Sequence, residues 1–102
     1  MLLKVYLDSS AIAKRYVFEP GSSAMDHVFD RCWAGDLSIV TSVWNLGEVL
    51  GVFDTRRRRG WLSDDEFRRL LRNFVGEVVR LLRLRVLEVI PILTSILVKT
   101  CP

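Results

Sequence analysis

The chain has 102 residues, half of them hydrophobic and 26% charged, which suits one domain with a packed core and excludes a disordered segment. Its net charge of +3 is uneven: ten arginines against four acids lie between Arg56 and Arg85, an excess of +6, and the remainder carries an excess of −3. Cys32 and Cys101 form no ligand-type spacing or disulfide framework, the start MLLKVYLDSS does not read as a signal peptide, and the apolar run Val89 to Val98 is too short to span a bilayer. The expectation is a cytoplasmic protein with reduced thiols and no membrane partner.

Leu2 to Leu7 is short, apolar and rich in strand formers, and predicts a buried strand. Asp8-Ser9-Ser10 then offers capping side chains for a helix over Ser9 to Tyr16. Glu19-Pro20-Gly21 breaks the chain, and Ser22 or Ser23 caps a second helix reaching about Ala34. Gly35-Asp36 leads into a second strand, Leu37 to Val40.

Ser42 opens a third helix with Val43, Leu46, Leu50 and Phe53 on one face. Trp44, Val49 and Val52 widen the apolar coverage and predict burial on more than one side. Arg56 to Arg59 close that helix, with Gly60 as its stop. Ser63-Asp64-Asp65-Glu66 is a capping box, starting a long helix to about Arg83 with Phe67, Leu70, Leu71, Phe74, Val78, Leu81 and Leu82 as its apolar positions. Val86 to Ile92 predicts a third strand, and Thr94 caps the start of a further helix. This alternation implies an α/β fold, a three-layer α/β/α arrangement with a short parallel sheet, over a single domain spanning 1–102.

Asp8 is the only charged residue between Lys4 and Lys14, and Glu48 the only one between Asp36 and Asp54. A carboxylate in an apolar stretch is costly to desolvate without a cation, a donor or a metal. Asp8 falls at a strand's carboxyl end, where parallel sheets carry their sites, and Glu48 lies about two turns into the helix leaving the second strand. Together they would suit Mg²⁺ or Mn²⁺, with Ser9 or Ser10 adding a hydroxyl. The alternative for Asp8 is a plain N-cap, and for Glu48 a surface glutamate.

The segments VYLDSSAIAKRYVFEPGS (Val5 to Ser22) and IVTSVWNLGEVLGVFD (Ile39 to Asp54) resemble the first two motifs of PIN-domain proteins, especially the VapC-like toxins. Asp8 and Glu48 match that family's first two acids, and Ser10 the hydroxyl residue that follows the first. The resemblance implies a metal-dependent endoribonuclease that hydrolyses RNA phosphodiester bonds with Mg²⁺ or Mn²⁺, the toxin of a toxin–antitoxin pair, with RNA and a protein antitoxin as partners. It covers the amino-terminal two-thirds of such a domain. The family's third and fourth acids come later, and no Asp or Glu follows Glu88, which puts the competing expectation beside the first: a catalytically incomplete PIN-like module that self-associates as a homo-oligomer through apolar surface.

Arg56, Arg57, Arg58 and Arg59 are candidate contacts for RNA phosphates or an acidic partner, or else a solvated helix end. His27 has no paired base or nucleophile. Trp33, Trp44 and Trp61 read as core or interface, and Cys32 lacks the cation or histidine that an active thiol needs. A haloacid-dehalogenase phosphatase would require Asp where Ser10 stands, and a receiver domain an acidic pair near the first strand. Neither fits.

Overall fold

The computed structural model describes residues 3–91, which form an α/β fold with a three-stranded parallel sheet and four helices. In chain order these are β1 (Leu3–Tyr6), α1 (Ser9–Tyr16), α2 (Ser22–Trp33), β2 (Leu37–Ser42), α3 (Val43–Arg58), α4 (Asp64–Arg83) and β3 (Leu87–Ile90). β2 is central, with Val5 opposite Ile39 on one side and Ile39 opposite Leu87 on the other. It runs two residues beyond the expected Val40 because Thr41 and Ser42 still pair with Val89 and Ile90. The expected end of the third strand at Ile92, and the cap at Thr94, lie outside the described residues.

Both crossovers step the same way along the sheet, and crossovers of one hand then place their helices on one face. The core agrees. Leu7, Leu37, Ile39 and Leu87 meet Ile12 of α1, Phe29 of α2, Val49 and Phe53 of α3, and Phe74 and Leu81 of α4 in one buried cluster. The alternate residues of the strands, among them Lys4 and Glu88, turn to the opposite face. There Lys4 Nζ reaches across β2 to within 3.7 Å of Glu88 Oε2, both side chains well exposed. This arrangement is compatible with a three-layer sandwich, of which the described residues supply the sheet and one helical layer. Among them, no helix is long and apolar enough to cross a membrane.

Local chemistry explains most boundaries. Asp8 caps α1, its Oδ1 accepting from Ala11 N at 2.9 Å, and Ser42 caps α3 by accepting from Asn45 N at 3.1 Å. At α2 the expectation is corrected: neither serine is the N-cap. Gly21 holds that position at φ 96°, a left-handed conformation that favours glycine, with no side-chain cap. The Ser22 hydroxyl turns back instead, accepting from Glu19 N and donating to Val17 O.

The capping box of α4 is complete, with Glu66 N donating to Ser63 Oγ and Ser63 N donating to Glu66 Oε1. Ser63→Ala is therefore expected to cost about 1 kcal/mol in thermal unfolding, and Ser63→Asp almost nothing. Equal melting of all three proteins would contradict that role for the hydroxyl.

Burial on α3 is narrower than its composition suggests. The stripe Asn45, Val49 and Phe53, spaced four apart, faces the core, while Val43, Trp44 and Leu50 stay exposed. Leu82 of α4 is likewise exposed. None of the three tryptophans is a core residue, Trp33 being 37% exposed and Trp44 and Trp61 each 59%.

Candidate functional site

The carboxyl ends of β1 and β2 are stitched together by three hydrogen bonds. Leu7 N donates to Val40 O at 2.9 Å, and the fully buried Thr41 hydroxyl donates to Leu7 O at 2.8 Å. Asn45 Nδ2, in the first turn of α3, donates to the Tyr6 hydroxyl at 2.7 Å. The start of α3 is thereby held against the end of β1. Glu48, three residues beyond Asn45, leaves α3 on the side where α1 begins. Ser9 and Glu48 share the wall of one cavity of about 520 Å³, with Asp54, Arg56, Arg58, Arg59 and Trp61 completing much of its rim.

Asp8 stands one residue before that wall. It is exposed, and one of its two oxygens is taken by the Ala11 amide. Among the described residues its Oδ2 has no hydrogen-bond or ion-pair partner, and Glu48 has none at either oxygen. Ser9 is half-buried and Ser10 exposed. Among the described residues no three His, Cys, Asp or Glu side chains come together as a metal-ligating group. Carboxylate and hydroxyl oxygens are hard donors of the kind that Mg²⁺ accepts when waters and substrate fill its remaining positions; Ser9 and Glu48 line one cavity, whereas Asp8 is not among its lining residues.

No protein-family model matches the chain, and no curated protein matches it.

The arginine run is not a uniform cationic patch. Arg56 Nη2 is 3.1 Å from Glu19 Oε2, while Arg57 and Arg58 both pair with Asp54, at 2.7 Å and 3.1 Å. The hydrogen bond from Arg57, helped by the positive charge of both arginines, holds the Asp54 carboxyl below its ordinary range. Arg59 alone of the four has no carboxylate partner among the described residues. Its guanidinium carbon lies 5.2 Å from the centroid of the Trp61 ring, and that of Arg56 lies 5.6 Å from it.

Trp61 and Asp54 were missed as members of this wall. Asp54 had a legible signal, lying three and four residues before Arg57 and Arg58, the spacing of helical ion pairs. Trp61 had a weaker one, its position directly after the helix-stopping Gly60. His27 is exposed on α2. Cys32 is fully buried, its thiol donates to Val86 O at 3.3 Å, and burial pushes its pKa up. That environment disfavours the thiolate an active cysteine requires.

Proposed function

We propose that this chain is a metal-dependent endoribonuclease of PIN type, the toxin of a toxin–antitoxin pair acting on RNA in the cytoplasm. The observation that carries the reading is the cavity shared by Ser9 and Glu48, with arginines along its rim, and Asp8 as the residue preceding Ser9 in the chain. Asp8 and Glu48 would hold Mg²⁺ or Mn²⁺, with Ser9 or Ser10 orienting Asp8. When bound, such an ion activates water and neutralises charge developing on a phosphodiester. The chain's own residues do the rest: Thr41 and Asn45 fix the two strand ends, and Arg59 offers a cation to substrate phosphate. The direct test is incubation with single-stranded RNA in Mg²⁺, in Mn²⁺ and in EDTA. Cleavage with either ion, lost on chelation, is the expected result; intact RNA under all three conditions refutes the proposal.

A second reading, a PIN-like module that self-associates, draws on a different observation. Val43 and Trp44 are 49% and 59% exposed and line a largely apolar hollow with Gly47 and Glu48 near the start of α3. Sedimentation distinguishes it: a concentration-dependent dimer supports association, and a monomer throughout removes it.

A further inference from the structure

Trp61 is held in place by its own backbone. Gly60, at φ 77°, ends α3, Gly60 N donates to Arg57 O at 3.0 Å, and Trp61 N reaches back to Arg56 O at 2.9 Å. This is the Schellman closure of a helix. The residue after the glycine in that motif commonly packs on the last turn, which accounts for the contact with Arg56. It does not account for Arg59 on the same ring, or for an indole that remains 59% exposed on the wall that carries Glu48.

The two arginines over the ring also differ. Arg56 is anchored by Glu19, whereas Arg59 has no carboxylate partner among the described residues. A rigid aromatic face beside an uncommitted guanidinium is the pairing that single-stranded nucleic acids use. A base stacks on the ring, and the neighbouring phosphate takes the cation. Duplex RNA keeps its bases stacked on one another and offers no free face to such a ring.

We propose that Trp61 and Arg59 form the strand-holding subsite of the Ser9–Glu48 cavity, stacking one unpaired RNA base on the indole as Arg59 leaves the ring for the adjacent phosphate. The proposal rests on reading that cavity as a ribonuclease site, and it gives the site a preference for unpaired over paired RNA. It requires no metal, so binding and cleavage can be separated.

The experiment measures binding of a fluorescein-labelled single-stranded RNA oligonucleotide in EDTA, against the same oligonucleotide annealed to its complement. The wild type is expected to bind the single strand more tightly. Trp61→Leu and Trp61→Met should each weaken that binding about tenfold, and Trp61→Phe should retain most of it. Arg59→Gln should lower the slope of log affinity against log salt by about 0.7, the signature of one lost phosphate contact on a single strand. Thermal unfolding of the same variants checks the helix end, and the two non-aromatic replacements guard against one failing to fold. Unchanged binding by both, or equal affinity for strand and duplex, overturns the subsite. If Trp61-dependent binding persists but the wild type cleaves nothing in Mg²⁺ or Mn²⁺, the nuclease reading falls and the stacking subsite stands. If the wild type cleaves and Trp61→Leu binds and cleaves equally well, the subsite falls by itself.

Discussion

Replacing Glu77 with Ala is expected to lower folding stability by about 3 kcal/mol, the cost of removing one partner from a largely buried ion pair. Glu77 sits on α4, and its side chain is 12% exposed. Its carboxylate accepts two bonds from the Arg15 guanidinium, Nε at 3.1 Å and Nη2 at 2.8 Å, one from the Tyr16 hydroxyl at 2.7 Å, and one from Trp33 Nε1 at 2.8 Å. One side chain of α4 therefore ties down α1 and the last residue of α2. Arg15 keeps a second contact, to the more exposed Asp26 at 2.9 Å, which is why the expected loss sits at the low end of the range for broken buried pairs. The damage reaches the core through Tyr16, whose ring makes edge-to-face contacts with Phe29, Phe53 and Phe74. For a domain with about 5–15 kcal/mol of total stability, such a loss is large. Urea unfolding measures it, and a change below about 1 kcal/mol would show that the cluster is dispensable.

The same cluster sets an acid limit. Burial pushes the Glu77 carboxyl up, but hydrogen bonds from Arg15, Tyr16 and Trp33 outweigh it and leave the group below its ordinary value of 4.5. A carboxyl depressed in the folded state contributes its full stability above its unfolded value and loses it as pH falls through the folded one. The stability gap between wild type and Glu77→Gln should thus be constant above the ordinary value of 4.5 and shrink below it. A gap that widens on acidification would mean the sign is wrong.

None of this cluster was legible in the sequence. Glu77 lies on a long, arginine-rich amphipathic helix, where a solvated i,i+3 pair with Arg80 is the ordinary expectation, and its actual donors are more than forty residues away in the chain. What could be read was local. The caps Asp8, Ser42 and Ser63 and the stop at Gly60 fix helix boundaries through contacts within a few residues, and the starts of α1, α3 and α4 fall where those signals put them. The inward face of α3 was illegible because both its faces are apolar, and only the tertiary contact of Val49 and Phe53 with the sheet chooses between them. The candidate site divides the same way. Its carboxylates stood out as isolated charges, whereas the neutralisation of three arginines depends partly on Glu19, brought to Arg56 from another element, and the role of Trp61 emerges only beside Glu48.

Glu48→Gln and Asp8→Asn should each reduce metal-dependent RNA cleavage by a factor on the order of 10²–10³, the scale of removing one electrostatic stabiliser from a charge-developing transition state. The pair is informative because neither change should disturb the fold. Glu48 is exposed and has no hydrogen bond or ion pair among the described residues, so an isosteric amide is expected to shift stability by no more than about 0.5 kcal/mol. Asn caps a helix about as well as Asp, so Asp8→Asn preserves the bond from Ala11 N while removing the charge. Asp8→Ala separates the two roles of this residue, losing the charge and also about 1 kcal/mol of helix capping. Weakened ion binding predicts that whatever activity the amide variants retain requires more Mn²⁺ to reach half its maximum. Cleavage by both amide variants at the wild-type rate and the wild-type Mn²⁺ requirement would leave Asp8 a helix cap, Glu48 a surface glutamate, and the cavity between α1 and α3 without a metal.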